Sequence, residues 1–285
     1  MTWTKAKKKA PKLTERDMQV PRLLEEYKLL TTSQIQQLVY PSLQKAQTRL
    51  LRLFQAGEVK RFAYPVLLRE GGKGEYVYHL KRGPKTVLTA VQHMLGLNDL
   101  RIAFDQACEK SDQTKLVEFI PEYRGVRRDD GRPGRAVEDS VAVLEGYGTE
   151  GILIPDAVIC LGNTATGKQA LFFLELDLGT EKLVSLGRGH YSLLKKMLLY
   201  REYHNTRGFE RYNDMFKYEF KGFRVLTIMN NASRIRRLRA ELSQRDIRKF
   251  VWFAVADTVT RDTILDKIWI KADKEDNGQY SIIHK

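Results

Sequence analysis

From Thr14 onward, apolar residues recur at helical spacing through three short segments, after which the pattern changes to strand-like alternation. The first segment starts at Thr14 and puts Val20, Leu23, Leu24 and Tyr27 on one stripe, with Pro21 expected to kink it or to mark its true first turn. The second opens with Thr31 and Gln34, the capping-box spacing, and buries Ile35, Leu38 and Val39 before Pro41 stops it. Ser42 caps a third helix that runs to Gln55 and ends at Gly57, a residue suited to the left-handed conformation after a helix. Its Leu43, Ala46, Leu50, Leu53 and Phe54 are expected to face the core. EVKRFAYPV and EYVYHL then read as two strands around the glycine-containing LLREGGKG. Three helices and a two-stranded ribbon predict a winged helix-turn-helix over residues 14–83.

A helical stretch from Pro84 to about Cys108 follows, with Val87, Val91, Met94, Leu95 and Ile102 apolar, and is expected to link this domain to a larger one over residues 111–272. There TKLVEFI, GILIPDAVICL, QALFFLELD, FRVLTIM and FVWFAVAD read as strands, while RGHYSLLKKMLLYREYH and ASRIRRLRAELSQ read as helices. Near-continuous apolar strands predict a central sheet covered on both faces, so the fold class is α/β. Residues 1–13 and 273–285 are read as an arm and a tail.

Charge changes the picture. The chain carries 49 Lys+Arg against 35 Asp+Glu, a net of +14. Residues 1–92 hold 18 and 7 of these, a net of +11, and residues 93–285 hold 31 and 28, a net of +3. The N-terminal third is therefore the polyanion-binding candidate, with duplex DNA the expected partner. In the third predicted helix a second stripe consists of Lys45, Thr48, Arg49 and Arg52, flanked by Gln44 and Gln47, and the helix contains no acid. Such side chains bond phosphates and reach base edges in a major groove; a merely solvated face is the alternative. Arg69 and Lys73 fall between the two strands, at the expected wing tip. Lys5, Lys7, Lys8, Lys9 and Lys12 precede the first helix without an apolar run and read as a basic arm rather than a signal peptide. Two unpatterned cysteines, Cys108 and Cys160, and the lack of a spanning apolar run lead to the expectation of a cytoplasmic protein.

Asp156 follows Pro155 within what reads as one buried strand, and the next strand ends in Glu175-Leu176-Asp177. The period of two puts Glu175 and Asp177 on one face. Clustered carboxylates at the ends of apolar strands are costly unless they share a cation, which makes Mg²⁺ or Mn²⁺ the expected cofactor. On the alternative reading, Asp177 and Glu181 cap a turn while Asp156 bonds backbone. Gly162 to Lys168 has part of a phosphate-loop spacing, but Gln169 stands where the hydroxyl residue belongs, so a hairpin turn is expected. Tyr200 and Tyr203 read as packing groups. The run Arg234, Arg236, Arg237, Arg239 reads either as a solvated face or as a DNA-backbone contact.

Pro155-Asp156 followed by Glu175-x-Asp177 resembles the PD-(D/E)xK nuclease pattern of restriction-endonuclease-like folds. The resemblance implies that Asp156, Glu175 and Asp177 hold the metal. Asp177 stands in the place of the pattern's lysine, so the cation would come from the following helix, from Lys195 or else Lys196, with Lys195 the candidate. The wider set, comprising the N-terminal segment, His93-x4-Asn98, Pro155-Asp156, Glu175 to Glu181 and Lys195 to Tyr200, resembles the replication-relaxation family of plasmids and other mobile elements over about residues 14–260. That resemblance implies a part in replication or DNA relaxation. Two readings stay open: a Mg-dependent nuclease or nickase, and a catalytically inactive DNA-binding regulator that uses the second domain to dimerise.

Overall fold

A computed structural model describes residues 12–64, 74–80, 88–127, 130–141, 151–179, 182–184, 192–243, 245, 247 and 249–283. The chain divides into two compact units, Met1–Ile102 and Ala103–Lys285. Among the described residues no helix is long and apolar enough to cross a membrane. The basic arm, apart from Lys12, and both Arg69 and Lys73 lie outside the described residues.

The first unit contains α1 (Glu15–Tyr27), the two-residue strand β1 (Leu30–Thr31), α2 (Thr32–Val39), α3 (Leu43–Ala56), β2 (Lys60–Tyr64) and β3 (Glu75–His79). The strands form an antiparallel sheet in the order β1-β3-β2. Local chemistry sets the helix ends. Gln34 N–H donates to Thr31 Oγ1 at 3.1 Å while Thr31 N–H donates to Gln34 Oε1 at 3.0 Å, completing the capping box. Gly57 takes φ 79° after α3, a conformation a Cβ would strain. Helix α1 extends from Glu15 through Pro21, so Pro21 lies inside it and does not mark its first turn. Its stripe of Val20, Leu24 and Tyr27 is buried with Leu30, Ile35, Leu50, Leu53 and Tyr78, and that packing offsets the roughly 3 kcal/mol that an interior proline costs. Helix α4 (Leu88–Glu109) begins in this unit, where Asn98 Nδ2 donates to the Tyr27 and Leu29 carbonyls at 3.2 and 2.7 Å. Those carbonyls flank Lys28, whose φ is 66°, so Asn98 fastens the end of α1.

The second unit is built on a six-stranded mixed sheet. Its strands are β4 (Thr114–Pro121), β9 (Ala157–Asn163), β10 (Gln169–Asp177), β11 (Phe223–Met229), β12 (Val251–Val255) and β13 (Ile270–Lys271), in the order β13-β12-β11-β10-β9-β4. Strands β10, β11 and β12 run parallel, and the outer pairings are antiparallel. Two small hairpins, β5 (Gly125–Arg127) with β6 (Pro133–Arg135) and β7 (Asp139–Val141) with β8 (Gly151–Leu153), precede β9. Helices α5 (Leu193–Asn205), α6 (Arg211–Phe216) and α7 (Ala232–Ser243) follow β10 and β11. Leu171 and Phe173 pack with Met197, Tyr200, Ile235 and Leu238, so α5 and α7 cover one face of β10. Phe172, Leu174 and Leu176, on the other face, are buried too. Burial on both sides is why these strands read as continuous apolar runs.

One expected strand is two. GILIPDAVICL breaks at Pro155-Asp156: β8 pairs with β7, and β9 starts at Ala157 to pair with β10 and β4. Proline has no N–H for a central ladder, so the chain turns there instead.

Candidate functional site

Helix α3 presents Gln44, Lys45, Gln47, Thr48 and Arg52 to solvent, with no acid along its length. Two expectations for this helix need correction. Leu43 and Phe54 are 45% and 40% exposed, outside the core that Ala46, Leu50 and Leu53 enter. Arg49, expected on the exposed basic stripe, is buried at 7% exposure. Its Nε donates to Asp17 Oδ1 at 2.8 Å and its Nη2 pairs with Asp17 Oδ2. Asp17, fully buried on α1, also accepts from the Thr14 N–H (2.6 Å), the Thr14 hydroxyl (2.7 Å) and the Tyr40 hydroxyl (2.9 Å). One carboxylate with five donors thus ties α1 to α3 and to the end of α2. Spacing held the clue: Arg49 is three residues from Ala46 and four from Leu53, on the buried stripe.

In the second unit the register of β10 creates a second polar centre. Pairing with β9 ends at Leu174 opposite Ala157, so Glu175, Leu176 and Asp177 run past their neighbour on that side. Asp156, just before β9, replaces the missing partner: its N–H donates to the Leu174 carbonyl at 3.1 Å, and its Oδ2 accepts the Leu176 N–H at 2.7 Å. Glu175, 3% exposed, points to the α5 side, where Lys196 Nζ pairs with its Oε2 and the Tyr200 hydroxyl donates to its Oε1 at 2.5 Å. The same Lys196 Nζ is 3.6 Å from Asp156 Oδ1. Two carboxylates therefore converge on one ammonium. Burial pushes the Glu175 carboxyl up to about 8; Lys196 pulls it down and Asp156 pushes it further up.

Lys196, not Lys195, is the lysine that meets the acids. Helix α5 buries Leu193, Lys196, Met197 and Tyr200 at i, i+3, i+4 and i+7, and Lys195, one residue off that stripe, is half-buried. Asp177 has other partners: Oδ1 accepts the Gly179 N–H at 2.9 Å, and Oδ2 accepts from Arg234 Nε at 2.8 Å and Nη2 at 2.7 Å. The backbone bond of Asp156 and the turn bond of Asp177 were both features of the alternative reading; Glu181 lies outside the described residues. The oxygen donors suit a hard divalent cation, and Asp156 Oδ1 and Glu175 Oε2 already share a cationic nitrogen. An ion would take that place by displacing Lys196.

Other candidates resolve into structural parts. Gly162 to Lys168 is the β9–β10 turn, where Asn163 Oδ1 accepts from Ala165 N–H, Thr166 N–H and the Thr166 hydroxyl at 3.0, 2.8 and 3.0 Å. The Tyr203 hydroxyl, buried, donates to Asp139 Oδ2 at 2.8 Å, and burial drives its pKa upward, as for a packing group. On α7, Arg234 holds Asp177, Arg239 Nη2 donates to the Asp276 carbonyl at 2.7 Å, and Arg236 and Arg237 face solvent.

Among comparisons with known proteins, the family profile described as replication-relaxation matches residues 22–218. No curated protein and no solved structure matches the chain.

Proposed function

The chain belongs to the replication-relaxation family, and from that premise we propose that it is a DNA-binding protein acting in the replication or relaxation of a plasmid or other mobile element. The first unit is read as a winged helix-turn-helix, with α3 as the recognition helix. The observation that carries this reading is the acid-free exposed face of α3, with Lys45, Thr48 and Arg52 beside Gln44 and Gln47, held on a rigid three-helix frame in the part of the chain that concentrates the positive charge. Replacing Lys45 and Arg52 together with alanine is expected to weaken duplex binding and lower the slope of log affinity against log salt by about two units, one per lost phosphate contact. Unchanged affinity and slope would reject the reading.

A second reading, a metal-dependent nuclease or nickase in the second unit, is favoured by the convergence of Asp156 and Glu175 on Lys196. Asp156 and Glu175 would hold Mg²⁺ or Mn²⁺, and the ion would activate water and stabilise the departing oxygen. Lys196, displaced from the acids, would remain as a cation beside the scissile phosphate. Under this reading millimolar Mg²⁺ raises the thermal stability of the full chain and supports nicking of supercoiled plasmid, and Asp156→Asn removes both effects. Stabilisation without nicking would indicate a site that binds the ion but does no chemistry. Neither effect in the wild type would leave DNA binding alone.

A further inference from the structure

A second arginine in the first unit is held in a different way from Arg49. Arg61, half-buried on β2, has its guanidinium carbon 4.6 Å from the Phe54 ring centroid and 4.0 Å from that of Tyr76. Phe54 ends the exposed side of α3, and Tyr76 lies diagonally across β3, where Ala63 pairs with Tyr76 and Arg61 with Tyr78. Both rings are large and partly solvent-exposed, at 40% and 41%, so the guanidinium between them lies at the surface. Among the described residues no carboxylate pairs with Arg61. The two ring faces orient the guanidinium and leave N–H donors at its edge.

We propose that Arg61, clamped by Phe54 and Tyr76, is a pre-oriented binding site for a phosphodiester group of duplex DNA. This rests on the DNA-binding reading of α3. Three physical features support it. A planar guanidinium forms paired hydrogen bonds to two phosphate oxygens, a geometry that an ammonium lacks. Holding the side chain in place before binding removes part of the ordering entropy that a long cation otherwise loses on contact. The clamp is also joined through Phe54 to the helix that carries Lys45 and Arg52, so a strand-borne anchor touches the element that bears the basic face. Such a contact positions the duplex and carries no base information.

The test is a salt series of duplex oligonucleotide binding by the full chain, with Arg61→Ala, Arg61→Lys, Tyr76→Leu and, as a control, Arg52→Ala, and with the thermal transition of each variant measured alongside. Arg61→Ala is expected to lower affinity severalfold and to reduce the salt slope by about one unit. Arg61→Lys should keep the slope and lose affinity, because charge is retained and paired geometry is not. Tyr76→Leu should do the same by loosening the clamp. If Arg61→Ala melts early, Arg61→Lys decides: an affinity equal to the wild type overturns the proposal. If Arg52→Ala weakens binding and Arg61→Ala changes neither affinity nor slope, the clamp is only packing and the DNA-binding reading of α3 survives. If the wild type does not bind duplex DNA, both fall together.

Discussion

The two units each bury an ionic centre, and the centres differ in how their charges balance. In the first, Asp17 faces one guanidinium and three further donors, so a single negative charge meets a single positive charge with every oxygen occupied. In the second, Asp156 and Glu175 converge on one ammonium, while the Tyr200 hydroxyl donates to Glu175 and the Leu176 N–H to Asp156, so two buried carboxylates meet one lysine. Burial above all, with Asp156 nearby, favours a proton on Glu175 against the opposing pull of Lys196. Burial alone therefore does not mark a site. A carboxylate matched by one guanidinium is a fastening, whereas two carboxylates on one lysine are the pair to test for a ligand.

The comparison breaks most visibly at Arg49. Arg49→Met leaves Asp17 charged and buried without its counter-ion, and the expected loss is about 3–5 kcal/mol of folding stability, read by denaturant unfolding. A loss below about 1 kcal/mol would mean that Asp17 is satisfied by its other donors and that the fastening is not ionic. With the larger loss, a fall in DNA affinity in this variant would report unfolding rather than a lost contact.

Lys196→Met tests the other centre and is expected to cost less, about 1–3 kcal/mol, because Glu175 can hold a proton near neutral pH once the ammonium is gone. The loss should shrink as pH falls and grow as it rises. A cost equal to that at Arg49, independent of pH, would show that the second centre is as saturated as the first.

The remaining effect is a slope. Glu175 has an ordinary value of 4.5 and a folded value raised to about 8, so the folded chain binds more protons than the unfolded chain between those limits. Its contribution to stability is complete below 4.5 and is lost as pH rises through about 8. Glu175→Gln removes that term, so the melting temperature of the wild type should fall relative to the variant from pH 5 to pH 8. Parallel profiles would place the proton elsewhere in the cluster.

Much of this could be read from sequence because it is local. The Thr31–Gln34 capping box, the cap at Ser42, the stop at Gly57 and the boundaries of β2 and β3 each depend on residues within a few positions of one another. The apolar strands β10, β11 and β12 declared themselves because burial on both faces removes polar positions from the pattern. The family, too, was readable from short motifs in chain order, His93-x4-Asn98, Pro155-Asp156 and the acidic Glu175 to Glu181 among them.

What the sequence by itself determined about this protein is its main helices and apolar strands, its charge division and the candidate acids Asp156, Glu175 and Asp177. Which ion pairs form was decided by the tertiary structure alone. Arg49 reaches an aspartate 32 positions away, Lys196 a glutamate 21 positions away, and Arg234 an aspartate 57 positions away. Charge is long-ranged but indifferent to chain distance, so a periodic stripe can say which side of a helix a cation occupies but not which carboxylate it will meet. That choice depends on register: β10 outruns β9 by three residues, Asp156 closes the gap, and Glu175 is left facing the inner stripe of α5, where Lys196 and Tyr200 meet it.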